Sequence, residues 1–307
     1  MKIRRDLFLA VVLGAVLFLA GPSPAQKTAP QSADLSVQYE ELTAPDFIKA
    51  VAKSESTCII PVGILEKHGP HLPLGTDLFE CRELSLRAAH KEYTIVFPPY
   101  FIGQIFEAKH QPGTIAYSAD TMLTVLQETC DELARNGIKK IILVNGHGGS
   151  EQLVQYFCQI QLAHKKDYAV YLYDPSDDSA VQEQIDKLRK TKLDGHAGEQ
   201  ETSEMLATRP DLVHQDRANQ QSGEDWKRLA ALKHAYTGIW WYAKYPNHYQ
   251  GDGAAGTKEF GETILSLETG LLAEMIRTVK DDKVTLKLQN QFFDQSAKPL
   301  ETKQPIK

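Results

Sequence analysis

Short apolar runs alternate along this chain with stretches whose apolar residues recur every three to four positions, the pattern of buried strands joined by amphipathic helices. Thr57–Val62 (TCIIPV) reads as a buried strand, and residues 77–90 as a helix with Leu78, Leu84, Leu86 and Ala88 among its apolar positions. Residues 94–97 (TIVF) form a second strand, stopped by Pro98 and Pro99. Ser118 or Asp120 can cap a helix carrying Leu123, Val125, Leu126, Cys130 and Leu133, and Asn136-Gly137 ends it. Residues 139–144 (KKIILV) are a third strand and 168–173 (YAVYLY) a fourth; between them Ser150 can cap a helix running to about His164. A short helix from Thr202 must stop before Pro210, and residues 256–280 carry the last long helix. This alternation predicts an α/β fold on a parallel sheet, in which ligands bind where loops leave the carboxyl ends of strands.

The first residues fall outside that pattern. Lys2, Arg4 and Arg5 precede an apolar run from Leu7 to Ala20, and Ser23-Pro24-Ala25 offers small residues for cleavage, the signature of a signal peptide over residues 1–25. The run is shorter than the roughly 20 residues a spanning helix needs, which favours a cleaved leader over an anchor. The expectation is a secreted or periplasmic protein with no membrane span after cleavage. What remains, about 280 residues, suits a single α/β domain over residues 46–285, between a loose segment at 26–45 and a tail at 286–307. A net charge of −6 without any basic run argues against nucleic acid or an anionic membrane as partner. Cys58, Cys81, Cys130 and Cys158 are widely spaced with no CxxC pair, so free thiols are favoured over disulfides, and a thiolate zinc site is not expected.

The candidate chemistry starts in PVGILEKHGPHLPLGTD, residues 61–77. Its glycines and prolines exclude a regular helix or a central strand. Glu66, His68, His71 and Asp77 place two carboxylates and two imidazoles in that one loop, donors suited to zinc, manganese or iron. Alone, it is balanced by an ordinary charged surface turn. NGHGGS (residues 145–150) then puts His147 between glycines directly after a strand, where backbone can approach a ligand closely. HAGEQETS (residues 196–203) adds His196, Glu199 and Glu201 where a helix begins. Glu199 reads as a first-turn acid of that helix rather than a ligand.

Together these three stretches closely resemble the motifs of the creatininase family of metal-dependent amidohydrolases, in order and spacing over most of residues 57–261. The loop at Gly251-Asp252-Gly253 is a weaker fourth point of similarity. The resemblance implies a three-layer α/β/α sandwich with a mostly parallel sheet, a homo-oligomer, and two divalent metal ions per chain, Zn2+ first with Mn2+ or Fe2+ as alternatives. It also implies roles: Glu66 and His147 on one metal, His68 and Glu201 on the other, Asp77 bridging both, and His196 as the proton-transfer residue. Such a centre hydrolyses a small-molecule amide with a hydroxide shared by the two metals.

Members that act on creatinine carry an aromatic residue directly after the position of His147 and a carboxylate one residue later, where this chain has Gly148 and Gly149. They also carry a Trp-Asp pair where it has Lys192 and Leu193. The expected substrate is therefore a non-peptide amide, cyclic ones included, other than creatinine. A deformylase or peptidase of the same family, or a non-catalytic periplasmic metal- or ligand-binding protein, stands as the alternative. A serine hydrolase using Ser150 lacks a G-x-S-x-G elbow. His71 reads as a residue that either supports a metal ligand from behind or structures the loop. Glu107 and His110 are balanced between pocket and plain turn. Trp240 and Trp241, in an aromatic run extending to His248, read as core packing or a subunit contact.

Overall fold

The computed structural model describes residues 35–173 and 179–303. The expected leader at 1–25, residues 26–34 and the last four residues of the expected tail lie outside that range.

Four strands, β1 (Thr57–Val62), β2 (Ile95–Val96), β3 (Lys140–Asn145) and β4 (Ala169–Leu172), make one parallel sheet in the order β2-β1-β3-β4. The helices are α1 (Ala44–Lys53), α2 (Thr76–Lys91), α3 (Ala119–Arg135), α4 (Glu151–Ile160), α5 (Ser179–Leu188), α6 (Glu199–Thr208), α7 (Trp240–Lys244), α8 (Lys258–Asp281) and α9 (Thr285–Ser296). None of these described helices is long and apolar enough to cross a membrane.

The period of two along each strand decides the layering. Cys58, Ile60 and Val62 point with Ile141 and Leu143 to one face, where Ala50 of α1, Leu126, Cys130 and Leu133 of α3, and Val154 and Phe157 of α4 cover them. Ile59, Ile142 and Val144 point to the other, against Leu84 and Ala88 of α2 and Leu265, Leu272 and Ile276 of α8. The result is the three-layer α/β/α sandwich. Each large side chain so buried contributes about 1.5–3 kcal/mol. The four cysteines are free thiols.

The caps explain where elements begin. Thr43 accepts a hydrogen bond from Asp46 N at α1, Ser118 from Thr121 N at α3, and Thr257 from Phe260 N at α8. Ser150 departs from its expected role. Its buried Oγ accepts from Gln104 N at 3.1 Å and caps nothing, and α4 ends at Ile160 rather than near His164. Residues 35–45 also depart from the loose segment expected. Val37 is buried, its carbonyl accepts from Val96 N at 2.7 Å, and Leu35, Tyr39 and Leu42 pack on the core. A two-residue edge strand leaves backbone and apolar surface uncovered, and this segment covers it. In the expected tail, Thr285–Ser296 is helical, and Gln289 Nε2 donates to Tyr168 O at 3.0 Å.

Helix α8 lies directly on α6 because Gly261 has no side chain. A Cβ there would stand 1.9 Å from Ser203 O. Gly261→Leu is expected to lower unfolding stability by roughly 3 kcal/mol or more through overpacking, read as a lower denaturant midpoint; an unchanged midpoint would show that the helices can part freely.

Strand order reverses at β1: the chain moves from β1 outward to β2, then crosses back to β3 on the other side. The crevice at the carboxyl ends of β1 and β3 is the topological switch point, the usual ligand site of such sheets.

Candidate metal centre

Two glycines bring the donors together at that switch point. A Cβ at Gly63 would stand 2.7 Å from Leu78 N, and one at Gly146 would stand 2.8 Å from Asp77 O. With both absent, the first turn of α2 settles between the loops that leave β1 and β3, carrying Asp77 to Glu66, His68 and His147. The 66–74 loop is closed by Glu66 N donating to Leu74 O at 3.0 Å. Of the two roles read for it, His71 serves the loop-structuring one. Its Nε2 lies 2.9 Å from Thr202 Oγ1, and its ring occupies the space over Gly69 and Gly253.

Asp77 divides its oxygens between two imidazoles: Oδ1 is 2.8 Å from His68 Nε2, and Oδ2 is 3.3 Å from His147 Nδ1. On the His147 side, Glu66 Oε1 is 2.8 Å from Nδ1. On the His68 side, Glu201 Oε2 is 3.8 Å from Nε2. The donor atoms of Glu66, Asp77 and His147 lie within 4.8 Å of one another, as do those of His68, His196 and Glu201. All five residues read as ligands, and His196, thus meet at one place. The His196 ring stands 4.4 Å from that of His68, and its Nε2 lies 2.9 Å from Lys67 O, to which it donates.

This donor set fits a divalent cation. Glu66 Oε1 and Asp77 Oδ2 are buried acceptors with no hydrogen-bond partner, since their contacts with His147 are not aligned for one. A buried acceptor left without a donor is costly, and a cation between converging oxygens and imidazole nitrogens removes that cost. The titration behaviour carries the same mark. Burial works against charge on His68, yet Asp77, Glu66 and Glu201 raise it to about 10. His147 is likewise held well up against burial by Glu66 and Asp77. Burial pushes the Glu66 carboxyl up, but the charges of His147 and His196 and the bond from His248 hold it well below the usual range. Burial raises Glu201 to about 7 and lowers His196 to about 3.

His248 belongs to the site and was not legible as such in the sequence. Its Nε2 bonds Glu66 Oε2, while Trp241 Nε1 donates to its Nδ1 at 2.9 Å. That pair of bonds puts the proton on Nε2 and orients Glu66 from behind. Trp241, read as core packing or a subunit contact, also meets the His196 ring edge-on at 5.8 Å. The one available signal was a histidine closing an aromatic run.

Other readings resolve in the same geometry. The Glu199 carboxylate accepts from Lys190 N and Thr191 N, a structural use as expected. Asp252 accepts from Ala254 N and caps a turn, so the weaker fourth motif shapes a loop. Both His110 ring nitrogens face carbonyl oxygens, of Glu107 and Pro246, each at 3.0 Å. A Cβ built at Gly148 would have open space around it.

Fold and donor set define a class: an α/β protein with a carboxylate–imidazole cluster suited to divalent metal at its switch point. The creatininase profile, described as creatinine amidohydrolase, matches residues 40–276, and the chain belongs to that family of amidohydrolases acting on carbon–nitrogen bonds. It is 31% identical over 196 residues to a creatinine amidohydrolase of Pseudomonas putida, covering 59% of this chain and 75% of that protein. It is 30% identical over 191 residues to a 3-dehydro-scyllo-inosose hydrolase of Thermotoga maritima, covering 59% of this chain and 58% of the relative. It is also 30% identical over 164 residues to a mycofactocin precursor peptide peptidase of Mycolicibacterium smegmatis, covering 52% and 60%. Among solved structures, a mutant creatininase of zinc–zinc type superposes with a TM-score of 0.68 at 25% identity, over 81% of this chain and 100% of the other. A manganese creatininase gives 0.66 at 25% identity, over 80% and 100%.

Proposed function

We propose that this protein is an exported two-metal amidohydrolase acting on a small non-peptide amide other than creatinine. The observation that carries the reading is Asp77, whose two carboxylate oxygens face two different histidines. Glu66 and His147 would hold one ion, His68 and Glu201 the other, with Asp77 between them. Zinc is the first expectation and manganese or iron the alternatives, supported by the zinc–zinc and manganese forms of the structural relatives. Divalent ions bound there supply Lewis acidity, making water nucleophilic near neutral pH and polarising an amide carbonyl. His196 keeps its proton on Nε2 through Lys67 O, which leaves Nδ1 to take a proton and return it to the leaving nitrogen.

The substrate part rests on Gly148, Gly149, Lys192 and Leu193, which stand where creatinine-acting members carry aromatic and acidic groups. A cavity of about 340 Å³ bordered by His147, Gly148 and Glu201 suits a small molecule. Glu80, Glu204 and Glu268 also line it, and burial pushes all three carboxyls up. Relatives named for an inosose and for a peptide support a scaffold open to several substrates. Export is supported by the basic and apolar pattern of residues 1–25, and a homo-oligomeric state by the family resemblance.

Elemental analysis of protein purified without chelators is expected to find about two divalent ions per chain. Metal-free protein whose activity no metal restores would overturn the reading. Two tightly held ions with no turnover of lactams, formamides or short peptides would favour a binding protein instead. Metal affinity should rise with pH through the neutral range, with protons released on binding. His68 is raised to about 10 without metal, against about 6.5 in the unfolded chain. Its charged pair with Asp77 therefore stabilises the metal-free protein fully below pH 6.5, and that stabilisation is lost as pH rises through about 10. Metal must displace that proton. Calorimetry in buffers of different ionisation enthalpy reads the release; a pH-independent affinity contradicts it.

A further inference from the structure

We infer that Glu107 is a positioning residue for His147, accepting the Nε2 proton of that ring across the space Gly149 leaves empty when Nδ1 binds a metal ion. The inference rests on the two-metal reading above.

His147 turns Nδ1 toward Glu66 Oε1 and Asp77 Oδ2, at 2.8 and 3.3 Å. Its other nitrogen, Nε2, is buried and has no hydrogen-bond partner. An imidazole that gives its Nδ1 lone pair to a metal is neutral and carries its proton on Nε2, where a buried donor needs an acceptor. Metal-ligating histidines nearly always find one in a carboxylate, a carbonyl or a water, and a carboxylate fixes the ring and raises its basicity.

The geometry supplies that carboxylate from a different loop. A Cβ built on Gly149 would stand 2.5 Å from His147 Nε2 and 2.7 Å from Glu107 Oε1. The two atoms thus flank one missing side chain. They are not hydrogen-bonded in the present structure. Movement of the Glu107 carboxylate or the ring toward the other would make the bond, and a side chain at 149 would crowd both atoms.

Glu107 is also held for the task. Gln104 Nε2 donates to Glu107 Oε2 at 3.0 Å and to Gly149 O at 3.2 Å, while Gln104 Oε1 accepts from Phe106 N at 2.6 Å. Gln104 N in turn donates to Ser150 Oγ, which explains why Ser150 caps no helix. This latch ties the loop after β2 to the loop after β3 through Oε2 and leaves Oε1 beside Gly149. Gly149 therefore does more than omit a side chain: its vacancy admits a carboxylate from residue 107.

The test is chelator competition on the full chain with Zn2+ or Mn2+. In Glu107→Ala one of the two ions should weaken on the order of 10–100-fold, with the ion on the His68–Glu201 side unchanged. Glu107→Gln, which retains an uncharged acceptor, should lose less than Glu107→Ala. Glu107→Asp, which keeps the charge but shortens its reach, should also weaken that ion, and serves as the test should Glu107→Ala fail to fold. Wild-type affinity for both ions in folded Glu107→Ala, or in folded Glu107→Asp, overturns the inference alone. A wild-type protein that binds no metal overturns the two-metal reading itself.

Discussion

Asp77→Ala is expected to lower amide hydrolysis by about 10³-fold or more, the rate equivalent of the several kcal/mol that metal ions contribute to the transition state. Bound metal should fall from about two ions per chain to less than one in the same protein. The size of the effect follows from the position of the side chain. Asp77 is buried in the first turn of α2, with Oδ1 at His68 and Oδ2 at His147, so its loss removes an anionic donor from both halves of the centre. It also strips His68 of the first of the acids that hold its charge, leaving two imidazoles close together with less negative charge between them. Asp77→Asn is the control: it keeps the shape and one acceptor but not the charge, so it should fold and still bind metal weakly. Two ions at wild-type affinity in folded Asp77→Ala, with more than a tenth of the activity, would show that Asp77 bridges nothing.

His196→Gln is expected to lower turnover by about 10²–10⁴-fold while leaving both metal ions in place, the loss typical of a missing general acid–base group. The proton on Nε2 is committed to Lys67 O at 2.9 Å, so the chemistry falls to Nδ1, which faces Glu201 Oε2 at 3.9 Å. Packing fixes the ring between His68, at 4.4 Å, and His248, at 4.5 Å. Burial drives its pKa down to about 3 in the metal-free protein, so the imidazole starts neutral, with the Nδ1 lone pair unprotonated. It also offers a donor atom within 4.8 Å of those of Glu66 and His248, and one within 4.8 Å of those of His68 and Glu201. Metal content therefore decides the role. If His196→Gln loses an ion along with its activity, His196 is a ligand and the proton must travel elsewhere.

Much of the scaffold was legible from local pattern. TCIIPV predicted β1 with its observed bounds, because a six-residue run of buried positions has few other uses. Asp77 and Glu201 were legible only jointly with distant residues, since a lone acid in a first helical turn reads equally well as a dipole partner. His248 was not legible. It lies 182 residues from Glu66, follows an aromatic run that suits a core equally well, and gains its role through bonds to Trp241 and Glu66. Ser150 misled for a related reason: a serine before a helix is the standard capping residue, and only the neighbouring loop shows that Gln104 N takes its oxygen.

The sequence by itself determined the alternation of strands and helices, the glycine-rich loops that follow two strands, and the kinds of donor those loops carry. Periodicity and turn chemistry are local, and they act over a few residues. Distances between donors are not local. Glu66 and His147 meet because β1 and β3 pair in parallel and end together, and Asp77 joins them because Gly63 and Gly146 let α2 settle between the loops. The division of the Asp77 carboxylate between His68 and His147, the Trp241–His248 support behind Glu66 and the approach of Glu107 across Gly149 belong to the tertiary structure alone. Each depends on side chains far apart in the chain being packed to within a few ångströms, a constraint that no single stretch of sequence carries.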